Sequence, residues 1–207
     1  VGCGVVMSAG ASGSERSEEE ALNEDHRNEI KIILLGDSAV GKTKLVERFL
    51  MDKYQPQQQS TYALTLFAYE ADIDGEKVPV GIWDTAGQER FKSLHPAYYH
   101  RANACILAFD IKRQKTYQHL DKWYRELQEY CKDIPCLVIA NKIDLDYSVT
   151  SNRFKFAEKR GLPLYFVSAS DGTNVVKTFN DAIRMGFEDK KKPKSDFRDS
   201  VLELLAQ

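Results

Sequence analysis

The string Gly36-Asp37-Ser38-Ala39-Val40-Gly41-Lys42-Thr43, with Lys44 next to it, sets two glycines with four residues between them and closes on a lysine and a hydroxyl residue. Glycines at those positions let the backbone curl with its N–H groups inward around an anion. The Lys42 ammonium can reach the outer phosphates of a nucleotide, and the Thr43 hydroxyl is a hard-oxygen ligand for Mg²⁺. A glycine turn that binds nothing could share this string, so the flanks matter. Ile30-Lys31-Ile32-Ile33-Leu34-Leu35 before it reads as a buried strand, and Leu45, Val46, Phe49 and Leu50 after it fall at helical spacing. A strand, a glycine loop and a helix N-terminus together make an anion site.

Three further strings refine the ligand. Asn141-Lys142-Ile143-Asp144 follows the apolar run Pro135-Cys136-Leu137-Val138-Ile139-Ala140, which places it at the carboxyl end of a strand, where open α/β sheets bind ligands. The two oxygens of Asp144 match the paired N1–H and N2–H₂ edge of guanine, which adenine lacks. Asn141 can tie this loop to the phosphate loop, and the Lys142 stem can cover one face of the base. In Trp83-Asp84-Thr85-Ala86-Gly87-Gln88-Glu89-Arg90-Phe91 an aspartate closes another apolar run. Asp84 can hold Mg²⁺ through water, Gly87 brings a backbone N–H to the γ-phosphate, and Gln88 can orient the attacking water. The last string, Leu164 to Ser170, ends a third strand with Ser168, Ala169 and Ser170, whose backbone N–H groups can meet the guanine carbonyl oxygen.

In this order and spacing the four strings resemble the small GTPases of the Ras superfamily, and the phosphate loop with W-D-T-A-G-Q-E-R-F resembles the Rab branch. The resemblance spans residues 29–189. It implies slow, Mg²⁺-dependent hydrolysis of GTP to GDP and phosphate, with Lys42 and Gln88 as catalytic residues. It also implies Thr61 as the residue covering Mg²⁺ and the γ-phosphate, and Tyr54 as the ring stacked on guanine. Thr43, Thr61 and Asp84 are then the metal-side residues. Exchange and activating factors would regulate the cycle.

Two departures from the family pattern stand out. Most relatives carry lysine where Ser170 stands, so that side of the base is less covered. Where ordinary Rabs read T-I-G-V-D-F, this chain reads Thr61-Tyr62-Ala63-Leu64-Thr65-Leu66. That string, with Tyr98-Tyr99-His100 and Val167 to Lys177, is similar to a ciliary subgroup of Rab-like GTPases. The resemblance implies coiled-coil subunits of intraflagellar transport complex B and a docking protein at the ciliary base as partners. They would bind an apolar surface made by Tyr62, Ala63, Leu64 and Leu66. It also implies a cytoplasmic monomer concentrated at the ciliary base and in the cilium. The alternatives are a scaffold held in the GTP state with negligible hydrolysis, and a Rab-type regulator of vesicle traffic.

The elements that must position these residues follow from periodicity. Strands alternate with helices expected at 42–51, about 93–100, 116–131, 150–160 and 174–189, and Asp74-Gly75 between two apolar runs signals a hairpin. This predicts an α/β fold of the P-loop small-GTPase type. Its sheet has six strands, mostly parallel with one antiparallel edge strand, and helices cover both faces.

The chain has 207 residues and a net charge of −2. That length fits one domain with tails, and the charge gives no signal for nucleic acid. Residues 1–28 are acidic, lack aromatics and predict a disordered tail. Residues 190–207 predict a basic linker and a short amphipathic helix with Phe197, Val201, Leu204 and Leu205 on one face. No cysteine pairs with a histidine at metal-ligand spacing, and the four histidines are dispersed. No apolar stretch reaches the roughly 20 residues of a membrane span. The final Leu204-Leu205-Ala206-Gln207 offers no cysteine for a prenyl group, and Val6 stands where a myristoylation pattern has Ser or Thr. The expectation is therefore no direct membrane anchor.

Overall fold

The computed structural model describes residues 29–51, 64–87 and 98–192. The terminal segments 1–28 and 193–207 lie outside the described residues, as do Tyr54, Thr61, Tyr62, Ala63, Gln88 and most of the helix expected at 93–100. Six strands form one sheet: β1 Ile30–Leu35, β2 Leu64–Ile73, β3 Glu76–Thr85, β4 Ala104–Asp110, β5 Cys136–Asn141 and β6 Leu164–Val167. Their order is β2-β3-β1-β4-β5-β6. All neighbours are parallel except the β2–β3 edge pair.

All six residues of β1 are buried, as a parallel strand covered on both faces requires. Its alternate side chains feed two cores. Ile30, Ile32 and Leu34 pack with Leu45 and Val46 of helix α1 (Lys42–Met51) and with Phe179 and Ile183 of the last helix, α5 (Val175–Lys191). Ile33 and Leu35 face the opposite core with Leu107, Leu120, Trp123 and Phe156. Cys105 and Cys136, register partners on β4 and β5, are buried and free.

The turn at Asp74-Gly75 has φ of 56° and 88° at its two central residues. This is the doubly positive pattern of a two-residue hairpin turn that matches strand twist, and Asp72 Oδ1 accepts from the Gly75 N–H at 2.9 Å. The hairpin aligns Leu64 with Thr85, Thr65 with Asp84 and Leu66 with Trp83.

The helix expected at 116–131 is two pieces, α2 (Gln114–Gln118) and α3 (Leu120–Tyr130), meeting at His119. The His119 carbonyl is shared there between the Lys122 and Trp123 N–H groups, at 3.0 and 3.1 Å, the bifurcated arrangement common where helices begin or end. The helix expected at 150–160 is instead a 3₁₀ turn, Tyr147–Ser151, followed by α4 (Lys155–Arg160). Extended backbone between them brings Phe154 against Phe109, Tyr117 and Phe166, with centroids 5.2, 5.3 and 5.9 Å away. At its end α4 turns on Gly161 in the left-handed region, the usual glycine helix stop. α5 runs to Lys191, so the first lysines of the basic run are helical, and Lys190 Nζ donates to the Glu29 carbonyl at 2.9 Å.

β1 is where the connections change direction: β3 lies on one side and β4 on the other. The crevice beyond the carboxyl ends of such strands is where a ligand fits. The register brings those ends together, aligning Leu34 with Asp84, Asp110 with Asn141, and Asn141 with Val167.

Phe179, fully buried and stacked on Phe49 at a centroid distance of 4.7 Å, fixes α5 over α1. Phe179→Ala should lower the unfolding free energy by about 3–5 kcal/mol. This is read from the urea midpoint at unchanged slope; a midpoint within error of wild type would show that α5 is not part of the cooperative core.

Candidate functional site

The loop between β1 and α1 is held from several directions. Lys42, buried at the start of α1, donates through Nζ to the carbonyls of Gly36 and Asp37 at 2.7 and 3.1 Å. The next three carbonyls each accept from a side chain outside the loop. Ser38 accepts from Arg113 at 2.8 Å, Ala39 from Lys142 at 3.0 Å and Val40 from Asn141 at 2.8 Å. In a trans peptide the C=O of one residue and the N–H of the next point in opposite directions. With these carbonyls turned toward their outer partners, the N–H groups of Ala39, Val40 and Gly41 face the other way, as the wall of an anion cradle. Burial pushes the Lys42 amine down to about 8. Asp84 and Asp37 pull it back up and Arg113 pushes it further down. A phosphate placed against it would favour the ammonium form.

The Thr43 hydroxyl donates to the carboxylate of Asp84, which is fully buried at the end of β3. Mg²⁺ takes one or two protein oxygens and fills its octahedron with phosphate and water. A hydroxyl and a carboxylate in contact beside the phosphate loop fit that requirement. Among the described residues no group of three or more His, Cys, Asp or Glu could hold a metal ion. Thr43 and Asp84 offer a hydroxyl and a carboxylate, which suits an ion held jointly with phosphates.

Gly87 closes this side of the site. A Cβ there would lie 2.3 Å from the Asp37 carbonyl carbon and from the Ser38 nitrogen, so any side chain would lift the Asp84–Gly87 segment off the phosphate loop.

The base-side loops are tied together as well. Asn141 also accepts from the Ala169 N–H at 3.3 Å, linking the ends of β5 and β6. Asp144 accepts from the Ser168 hydroxyl at 2.7 Å. Arg48, reaching over from α1, donates to the Ala169 carbonyl at 3.0 Å and to the Ser170 carbonyl. The loop bearing Ser170 is thus held by its backbone.

The structure gathers Gly36 to Thr43, Asp84, Gly87, Asn141, Lys142, Asp144 and Ser168 to Ser170 around one crevice. Two side chains among the expected site residues point elsewhere. Lys44 pairs with Glu47 along α1 at 2.7 Å. The Asp37 carboxylate turns to α3, accepting from Trp123 Nε1 at 2.9 Å and meeting His119 Nδ1 at 2.6 Å. Asp37 therefore serves the loop through its backbone.

Asp110 was not anticipated as a site residue. Buried at the end of β4, it pairs with Lys142 Nζ at 2.7 Å and with Arg113 Nε at 3.1 Å, and it accepts from the Lys112 N–H at 2.9 Å. Burial works to raise its pKa, but these donors prevail and hold it below the usual carboxylate range. It anchors Arg113 and Lys142, the two cations that grip the phosphate loop from outside. Its signal in the sequence is the one that marked Asp84, an aspartate closing an apolar strand.

A phosphate cradle, a paired hydroxyl and carboxylate for Mg²⁺, and a carboxylate for the base at the ends of a six-stranded sheet define a small GTPase. The chain belongs to the Ras family, whose model matches residues 31–187. It is 60% identical to Rab-like protein 2A of Pongo abelii over 181 residues, covering 87% of this chain and 79% of the relative. It is 57% identical to human Rab-like protein 2B, with 91% and 82% covered, and 39% identical to human Ras-related protein Rab-30, with 76% and 80% covered. As a member of this family it is a GTP-binding switch. It hydrolyses GTP to GDP with Mg²⁺ and is subject to exchange and activating factors.

Asp144→Asn replaces an acceptor by a mismatched amide and leaves buried polar groups unpaired at about 1–3 kcal/mol each. GTP affinity should fall and xanthosine triphosphate affinity rise in parallel titrations; unchanged preference for GTP would remove Asp144 from base selection.

Proposed function

We propose that the GTP state of this protein presents an apolar surface to coiled-coil subunits of intraflagellar transport complex B and to a docking protein at the ciliary base. On this reading it is a cytoplasmic monomer that couples GTP hydrolysis to cilium assembly or function. The observation that carries the reading is the placement of Leu64 and Leu66. Both lie on the outward face of β2, and Leu66 is 57% exposed. They pair with Thr85 and Trp83, which flank the Asp84 that touches Thr43. An exposed apolar surface next to the metal side of a nucleotide site is suited to read which nucleotide is bound. The choice of partner rests on the strings Thr61 to Leu66, Tyr98 to His100 and Val167 to Lys177.

In the proposed cycle Lys42 lies against the outer phosphates, Thr43 and Asp84 hold the metal side, and Asp144 and Ser168 fix the base. Bound there, Mg²⁺ would neutralise charge on the phosphate oxygens. Thr61 and the Gly87 N–H register the γ-phosphate, Tyr54 covers the base, and Gln88 orients water for in-line attack. Loss of the γ-phosphate then releases residues 54–65 and 85–100, and with them the surface that includes Tyr62 and Ala63.

Leu66→Asp should abolish calorimetric binding of the GTP-loaded protein to the coiled-coil subunits while leaving nucleotide affinity unchanged. Equal affinity of the GDP- and GTP-loaded wild type for those subunits would reject the switch coupling.

A further inference from the structure

We infer that Tyr147 and Asp171 form a latch between the two base-holding loops and set how fast nucleotide leaves the site. The inference rests on the guanine-nucleotide reading of that site. At their roots the loops are joined by the Asp144–Ser168 bond. Further out, the Tyr147 hydroxyl donates to the Asp171 carboxylate. That carboxylate also accepts from the Thr173 N–H at 2.8 Å, while the Asp171 N–H donates to Ser168 Oγ at 3.2 Å. One continuous path therefore runs Tyr147–Asp171–Ser168–Asp144, from the outer surface to the carboxylate that faces the base.

Each end of the latch is held in place. Tyr147 opens the 3₁₀ turn that Asp146 caps, with its Oδ1 accepting from the Ser148 N–H at 3.2 Å and from the Ser148 hydroxyl at 2.5 Å. The second oxygen of Asp146 pairs with Lys112 at 3.0 Å. At the other end, burial works against the ionised form of Asp171, but hydrogen bonds from Thr173, Tyr147 and Ser168 prevail and keep it ionised down to a pH of about 2.

Tyr147 is 53% exposed and its ring joins neither hydrophobic core. Core packing therefore does not account for its place; its hydroxyl contact across the loops does. Ser170 at the end of the neighbouring loop has a short side chain, and a bond between the loop tips can limit their separation.

The latch makes Tyr147 a positioning residue, and its test separates release from chemistry. Fluorescent GDP is loaded with Mg²⁺ onto the full chain and chased with excess GDP. Tyr147→Phe should speed dissociation roughly five- to ten-fold, the effect of losing one charge-assisted hydrogen bond. Asp171→Asn should do the same, and the double variant should be no faster than either single one. Single-turnover hydrolysis of preloaded GTP should stay at the wild-type rate, because no group near the γ-phosphate changes. Wild-type dissociation in Tyr147→Phe, additive effects in the double variant, or hydrolysis altered in step with release would each overturn the latch. Failure of the wild type itself to retain GDP would overturn the nucleotide reading beneath it.

Discussion

Three peptide carbonyls decide the shape of this site. Those of Ser38, Ala39 and Val40 are taken by Arg113, Lys142 and Asn141, and the planarity of the peptide bond then commits the N–H groups that follow them to the opposite side. Of the three donors Asn141 is the buried one. Its carboxamide spends both ends on backbone, giving to Val40 and accepting from Ala169. The phosphate loop and the two base loops are thus parts of one hydrogen-bonded unit. Gly41 is a condition of that unit, since a Cβ there would lie 2.4 Å from the Asn141 amide nitrogen. The second glycine of the phosphate-loop pattern therefore serves the base side as well as the phosphates.

The charges around this unit are arranged so that none is buried alone, which would cost several kcal/mol in a protein interior. Lys42 sits on two carbonyls, Asp84 receives the Thr43 hydroxyl, and Asp110 gathers Lys142 and Arg113. Asp110 never reaches the crevice itself. It acts by orienting two cations that hold phosphate-loop carbonyls, so the end of β4 supports the phosphate loop of β1 and the base loop of β5 together. The Asp37 carboxylate does comparable work on the other side, fastening the loop to Trp123 and His119 of the α2–α3 region.

Most of this was legible in the sequence because each motif sits at the end of a strand whose apolar run is plain. The runs at 30–35, 104–110 and 136–141 form the buried centre of the sheet, and Asp74-Gly75 marks its one hairpin through backbone chirality alone. What escaped depends on partners distant in the chain. Asp110 looks like the polar end of a strand until the fold brings Lys142 to it. The break at His119 lies within an unbroken helical pattern, and its side chain meets a loop residue far upstream. Tyr147 lies just before the helix expected at 150–160, outside every expected element; Asp146 closes a tight turn there and sends the tyrosine across to Asp171. The expected roles of Tyr54, Thr61 and Gln88 fall outside the described residues, and those assignments rest on family spacing and the motif string.

The account stands on Asn141 joining the phosphate and base loops into one unit, so the most direct measurement is the GDP affinity of Asn141→Ala. The substitution leaves a buried carbonyl at Val40 and a buried N–H at Ala169 without this partner, at about 1–3 kcal/mol each. The account predicts a folded protein whose GDP affinity falls by at least about ten-fold. Wild-type affinity in Asn141→Ala would contradict it, because the loop would then hold its shape without the bond on which the site is built.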